Sequence, residues 1–160
     1  MGRVRSRYAG AIGLLGGCAL AAVAAGEGVA ATSGVPDSGT VYFSPTHVAH
    51  GIQFAAGNAT DKLFGTEAVT FQIKFQSTKP GTVKITANPA TMWGKTGSLS
   101  GTATALLTVA KNGSATVTKG ELSETHGTGG WTGHSLTAKF SGVGNVNTGA
   151  YKITYKGTYK

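Results

Sequence analysis

The sequence predicts an all-β protein: a single antiparallel eight-stranded barrel after an N-terminal signal peptide. Three observations predict it. Apolar and polar residues alternate with a period of two almost throughout from Thr40 onward. No stretch after residue 32 carries a 3.6-residue apolar period. Turn-forming Pro and Gly residues interrupt the alternation at short spacing, which marks about eight strands.

The chain begins differently. Arg3, Arg5 and Arg7 precede an uncharged apolar stretch over residues 9–25, followed by small residues at Ala22-Val23-Ala24 and Val29-Ala30-Ala31. A basic start, an apolar middle and a small-residue exit describe a secretory signal over residues 1–31. The stretch falls short of the roughly 20 residues that span a bilayer comfortably, so no transmembrane anchor is expected. Secretion is the expected destination. One alternative rests on the only cysteine, Cys18, because Leu15-Gly16-Gly17-Cys18 resembles a lipobox and would anchor the protein to the cell surface by a lipid. Against it, the apolar run continues past the cysteine. With Cys18 inside the signal, the rest of the chain has no disulfide, thiolate nucleophile or thiolate metal ligand.

All three arginines also lie in the signal. Beyond residue 31 stand eleven lysines and five acids, Asp37, Asp61, Glu67, Glu121 and Glu124. The surplus keeps a domain soluble and attracts anionic polymers weakly. No nucleic-acid partner is expected, because phosphate and guanine recognition favours arginine forks and clustered basic residues. These lysines are spread singly along the strands.

Residues 32–39 are small, polar and proline-bearing, the composition of a flexible leader, and the barrel is expected over 40–160. In the segment 68–76, Val69, Phe71, Ile73 and Phe75 share one face while Thr70, Gln72, Lys74 and Gln76 share the other. Lys79-Pro80-Gly81 turns the chain into a strand with Val83, Ile85 and Ala87 on one side. A long strand over 97–109 leads to Lys111-Asn112-Gly113, where Asn-Gly predicts a type I′ hairpin turn. The return strand covers 114–125. Leu136, Ala138 and Phe140 then mark another strand. Asn147-Thr148-Gly149 turns into the last, where Tyr151, Ile153, Tyr155 and Tyr159 oppose lysines and a threonine. Residues 56–66 read as a loop. Closure into a barrel is expected because small inner residues suit its taper and because closure removes exposed strand edges.

Few residues suggest chemistry. His47 and His50 form H-x-x-H, while His126 and His134 flank a glycine-rich turn. Residues three apart on a strand point to opposite faces, and no third ligand stands nearby, so no metal site and no cofactor are expected. Asp61 and Glu67 lie close in sequence and could converge at a barrel mouth, but acid–base work needs environments that separate their pKa values. No G-x-S-x-G elbow occurs, and no catalytic residue is assigned. Tyr42, Trp93 and Trp131 stand near strand ends as candidate ligand-binding residues; a tryptophan beside a glycine-rich corner also fits a plug at one end of a core.

Three segments carry a family resemblance: Gly127-Thr128-Gly129-Gly130-Trp131-Thr132-Gly133, Phe140-Ser141-Gly142, and Tyr151-Lys152-Ile153-Thr154-Tyr155-Lys156-Gly157. They resemble the closing strands of allene oxide cyclase-like and dirigent-like barrels, and Gly97-Ser98-Leu99-Ser100-Gly101-Thr102 is similar too. The likeness covers residues 95–160 and implies an eight-stranded antiparallel barrel with an apolar interior. No position matches the family's catalytic or substrate-binding residues, so the resemblance implies no activity. The Gly/Thr-rich style is also similar to that of small exported actinobacterial proteins.

Three functions remain open on this reading. The first is a binding module for a small apolar ligand, with Ala103 and Ala105 leaving space inside the barrel. The second is an envelope-associated structural protein whose lysines meet an anionic cell-surface polymer. The third is a cyclase- or isomerase-type enzyme that holds a flexible substrate in one shape.

Overall fold

The computed structural model describes residues 34–160. The expected signal segment, with Cys18, lies outside the described residues. Eight strands form in sequence order: β1 Val35–Ala49, β2 Ile52–Asp61, β3 Gly65–Lys79, β4 Thr82–Trp93, β5 Ser98–Val109, β6 Ser114–Gly127, β7 Leu136–Asn145 and β8 Tyr151–Tyr159. Each pairs antiparallel with the next, and β8 returns to β1, so the sheet is one closed barrel. The closing seam runs from Val35 opposite Tyr159 to Phe43 opposite Tyr151. Among the described residues no helix is long and apolar enough to cross a membrane.

Alternation puts one face of every strand inside. Val41, Ala59, Val69, Met92, Leu99, Leu107, Val117, Leu136, Ile153 and Tyr155 form the main buried cluster. Bulges at Pro45/His47, Phe71/Ile73, Ala87/Ala90 and Val117/Gly120 bend the sheet where it must curl. Antiparallel order places the connections at two ends. The β1–β2, β3–β4, β5–β6 and β7–β8 turns share one end. The β2–β3, β4–β5 and β6–β7 connections share the other, together with the start of β1 and the end of β8.

Two boundaries and one turn differ from the expectation. Residues 35–39, expected as leader, are the first part of β1. Their small polar composition reads as linker, yet Asp37 is buried and Gly39 faces the Tyr155 ring so closely that a side chain there would collide with it. The segment 56–66, expected as a loop, is mostly strand: Asp61 ends β2 and Glu67 lies in β3. Gly57-Asn58-Ala59-Thr60 looks like loop chemistry, but Ala55 and Ala59 are buried on the inner face. The β5–β6 turn is not type I′. Only Gly113 takes a positive φ, 84°, and its N–H donates to Ala110 O at 2.9 Å. This is a tight turn closed by a left-handed glycine, a second route to the strand twist of a hairpin. Asn112 contributes by accepting the Ser114 N–H at 3.0 Å.

Candidate functional site

The two ends of the barrel are built from different residues. At the β2–β3, β4–β5 and β6–β7 end, a short 3-10 turn over Gly129–Trp131 lowers Trp131 onto the core. Trp131 meets the Phe64 ring at 4.8 Å between centroids, Phe64 meets Tyr159 edge-on at 4.9 Å, and His134 stacks on Tyr159 at 5.0 Å. Met92, Leu99 and Leu136 pack beside this cap. The end is closed.

Four carboxyls lie buried at this closed end. Asp37 comes from β1, Asp61 from β2, Glu67 from β3 and Glu124 from β6. Glu67 is 3% exposed and Glu124 1%. Tyr155 Oη donates to Asp37 Oδ2 at 3.2 Å, Ser38 N–H donates to Asp37 Oδ1 at 2.8 Å, and Phe64 N–H donates to Asp61 Oδ1. Asp61 Oδ2, both Glu67 oxygens and Glu124 Oε2 have no donor among the described residues. Buried carboxylates in that state are costly, and the cost is relieved by holding protons. Burial, then the nearby Asp61 charge, pushes Glu67 up to about 8. Burial, then the Glu67 charge, pushes Glu124 up to about 9. Asp37 is raised chiefly by burial and then by Asp61, against the lowering effect of its donors. Tyr155 is raised chiefly by burial, then by the carboxyls around it. Near neutral pH Glu67 and Glu124 therefore hold their protons. Asp61 is close enough to accept a hydrogen bond from protonated Glu67.

The opposite half of the lumen holds a cavity of about 100 Å³. Phe43, Ala55, Phe71, Ile73, Ile85, Ala87, Ala103, Leu122 and Phe140 make most of its wall; Gln53, Thr104, Tyr151 and Tyr155 are the polar residues among those lining it. Phe43 forms the centre of an aromatic side, 5.0 Å from Phe71 and stacked at 5.2 Å on Tyr151. Small residues make the space. Ala55, Ala87 and Ala103 stand where larger side chains would fill the lumen, whereas Ala105, also expected to leave room, is packed into the core instead. Phe75, 48% exposed, marks the open side. Tyr155 lines the inner limit and turns its hydroxyl away to Asp37, so it stands between the cavity and the carboxyls. None of the four acids lines the cavity.

The three aromatic candidates from the sequence are not brought together. Trp131 is buried in the cap. Tyr42 and Trp93 stand on the outer face, 53% and 50% exposed, because they alternate with the inward Val41 and Met92. Tyr42 carries Lys152 over its ring at 5.6 Å, and Trp93 donates from its indole N–H to Thr70 Oγ1 at 3.0 Å. None of the three lines the cavity. His47 stacks on Phe54 at 4.4 Å. Among the described residues no group of three or more His, Cys, Asp or Glu is placed to hold a metal ion.

The residues that do line the cavity carried a usable signal. Ala55, Ala87 and Ala103 are small residues in phase with the apolar face of their strands. The acids carried one too. Asp37 is in phase with Gly39, Val41 and Phe43; Asp61 with Ala59 and Ala55; Glu67 with Val69 and Phe71; Glu124 with Leu122. An acid on the apolar phase of a strand points inward. Comparison of the chain with family models, with curated proteins and with solved structures gives no match.

Proposed function

We propose that this domain is an exported binding module that holds a small apolar molecule in the open half of its lumen. The observation that carries the reading is the one-ended cavity of about 100 Å³ with its almost wholly apolar wall. Space of this kind tends to stay dry and to accept apolar guests; an engineered apolar cavity of about 150 Å³ holds benzene. The guest is thus one ring or a short alkyl segment rather than a bulky lipid. The resemblance of the closing strands to allene oxide cyclase-like barrels, which implies an apolar interior, points the same way. Export rests on the basic and apolar character of residues 1–31.

Binding is favoured over catalysis because the polar groups that could move protons lie behind Tyr155, outside the cavity wall. The test is displacement of a neutral single-ring fluorophore from the purified protein by 1-octanol. The wild type should release the probe, and Ala103→Leu, which adds bulk to the wall, should weaken binding about 10-fold or more while its far-UV spectrum is unchanged. Failure of both probe and octanol to bind would refute the reading.

A further inference from the structure

We propose that the guest is an amphiphile with an anionic head: its apolar part enters the lumen and its charge stays at the lysine-bearing open end. This inference rests on the binding reading above and specifies the ligand class.

Three features support it. The first is direction. The barrel is closed at one end by Trp131, Phe64 and Tyr159, and the inner limit of the cavity is Tyr155, so a guest enters from the open side and leaves any polar group there. The second is the sign of the charge. All five acids beyond residue 31 are placed away from the open end. Four are buried at the closed end, and Glu121 lies midway along the outer face of β6, opposite Lys139. From residue 68 to 120, and again from 125 to 160, the chain contains no acid. The open end instead carries Lys79 at the end of β3 and Lys111 in the β5–β6 turn. Lys74, Lys84 and Lys152 lie on the strand segments next to it, and His47 and His50 sit at the β1–β2 turn. Lys62, Lys95 and Lys160 stand at the other end, where the buried carboxyls are.

The third feature is Gln53, the one amide in the cavity wall, placed at the second residue of β2 beside the open turns. Its NH₂ can donate to an anionic oxygen that the apolar wall cannot serve. A one-signed rim around a low-dielectric opening concentrates counter-charged molecules and orients them as they arrive. A cationic head would meet only repulsion. A neutral one would gain the apolar contacts alone.

The experiment compares three probes of equal chain length, octanoate, 1-octanol and octylammonium, by displacement of the same neutral fluorophore. Low salt and about 1 M salt are compared, because screening separates rim charge from burial. At low salt octanoate should bind about 10-fold more tightly than octanol and octylammonium more weakly than octanol, with the octanoate advantage shrinking in high salt. In the triple variant Lys79→Gln, Lys84→Gln, Lys111→Gln, octanoate should fall to the octanol level while octanol is unchanged. Gln53→Leu should remove part of the octanoate preference that survives salt. Equal binding of all three probes would overturn the anionic-head proposal and leave the lumen reading standing. Binding of none would overturn both.

Discussion

The closed and open ends of this barrel are made by the same eight strands, yet they solve opposite problems. The closed end packs large side chains, Leu99, Leu136, Met92 and Trp131, over four buried carboxyls. The open end leaves its wall incomplete, with alanines where bulk would fill the lumen and Phe75 half in solvent. The difference teaches where each kind of property resides. Stability and its pH dependence belong to the closed end. The proposed binding belongs to the open one.

Truncating the cap tests the first half of that division most severely. Trp131→Ala should cost about 3–5 kcal/mol in chemical denaturation, since it removes a buried aromatic ring. It should also admit water to the carboxyls and bring the Glu67 titration down toward the ordinary carboxylate range. An unchanged denaturation midpoint would mean that Trp131 is not a structural cap.

The pH dependence of stability tests the same end. Glu67 and Glu124 hold protons in the folded state up to about 8 and about 9, whereas the unfolded chain releases them near the usual 4.5. Between those limits the folded state binds more protons than the unfolded one, so stability falls as pH rises. It should be greatest at and below about pH 4.5 as far as these two groups are concerned, and should fall steadily from there to pH 9. Urea melts at pH 5, 7 and 9 measure this directly; a stability that rises over the same range would contradict it.

A gentler change isolates one carboxyl. Glu124→Gln keeps the shape of a protonated glutamate without its ability to ionise. It should change stability little at pH 5 and raise it at pH 9, flattening the slope. Smallest of all should be Phe75→Ala, within about 0.5 kcal/mol, because half of that ring is already in water. Its effect should appear instead as weaker probe binding.

Much of this architecture was legible before any coordinates. The alternation in Val69-Thr70-Phe71-Gln72-Ile73 and the turns at Pro80-Gly81 and Asn147-Thr148-Gly149 place strands where they occur. What composition obscured was β1 before Thr40 and β2 near Gly57, where small polar residues serve a crowded interior rather than a flexible loop. The convergence of Asp61 and Glu67 at one end was foreseeable from their spacing. The addition of Asp37 and Glu124 was not, because it depends on which strands meet across the barrel. The same holds for the cavity. A small residue in phase with an apolar face marks a place where space can exist, but at Ala105 neighbours fill it. Tyr42 and Trp93 illustrate the converse, since aromatic identity suggested a ligand mouth while strand phase puts both rings outside.

The most direct test of the division between the ends is a methyl-resolved NMR titration of the labelled protein with 1-octanol. Shifts should concentrate at Ile73, Ile85, Ala87, Ala103 and Leu122, and leave Met92, Leu99 and Leu136 unmoved. Shifts centred on the capped end, or none at any methyl, would contradict the account.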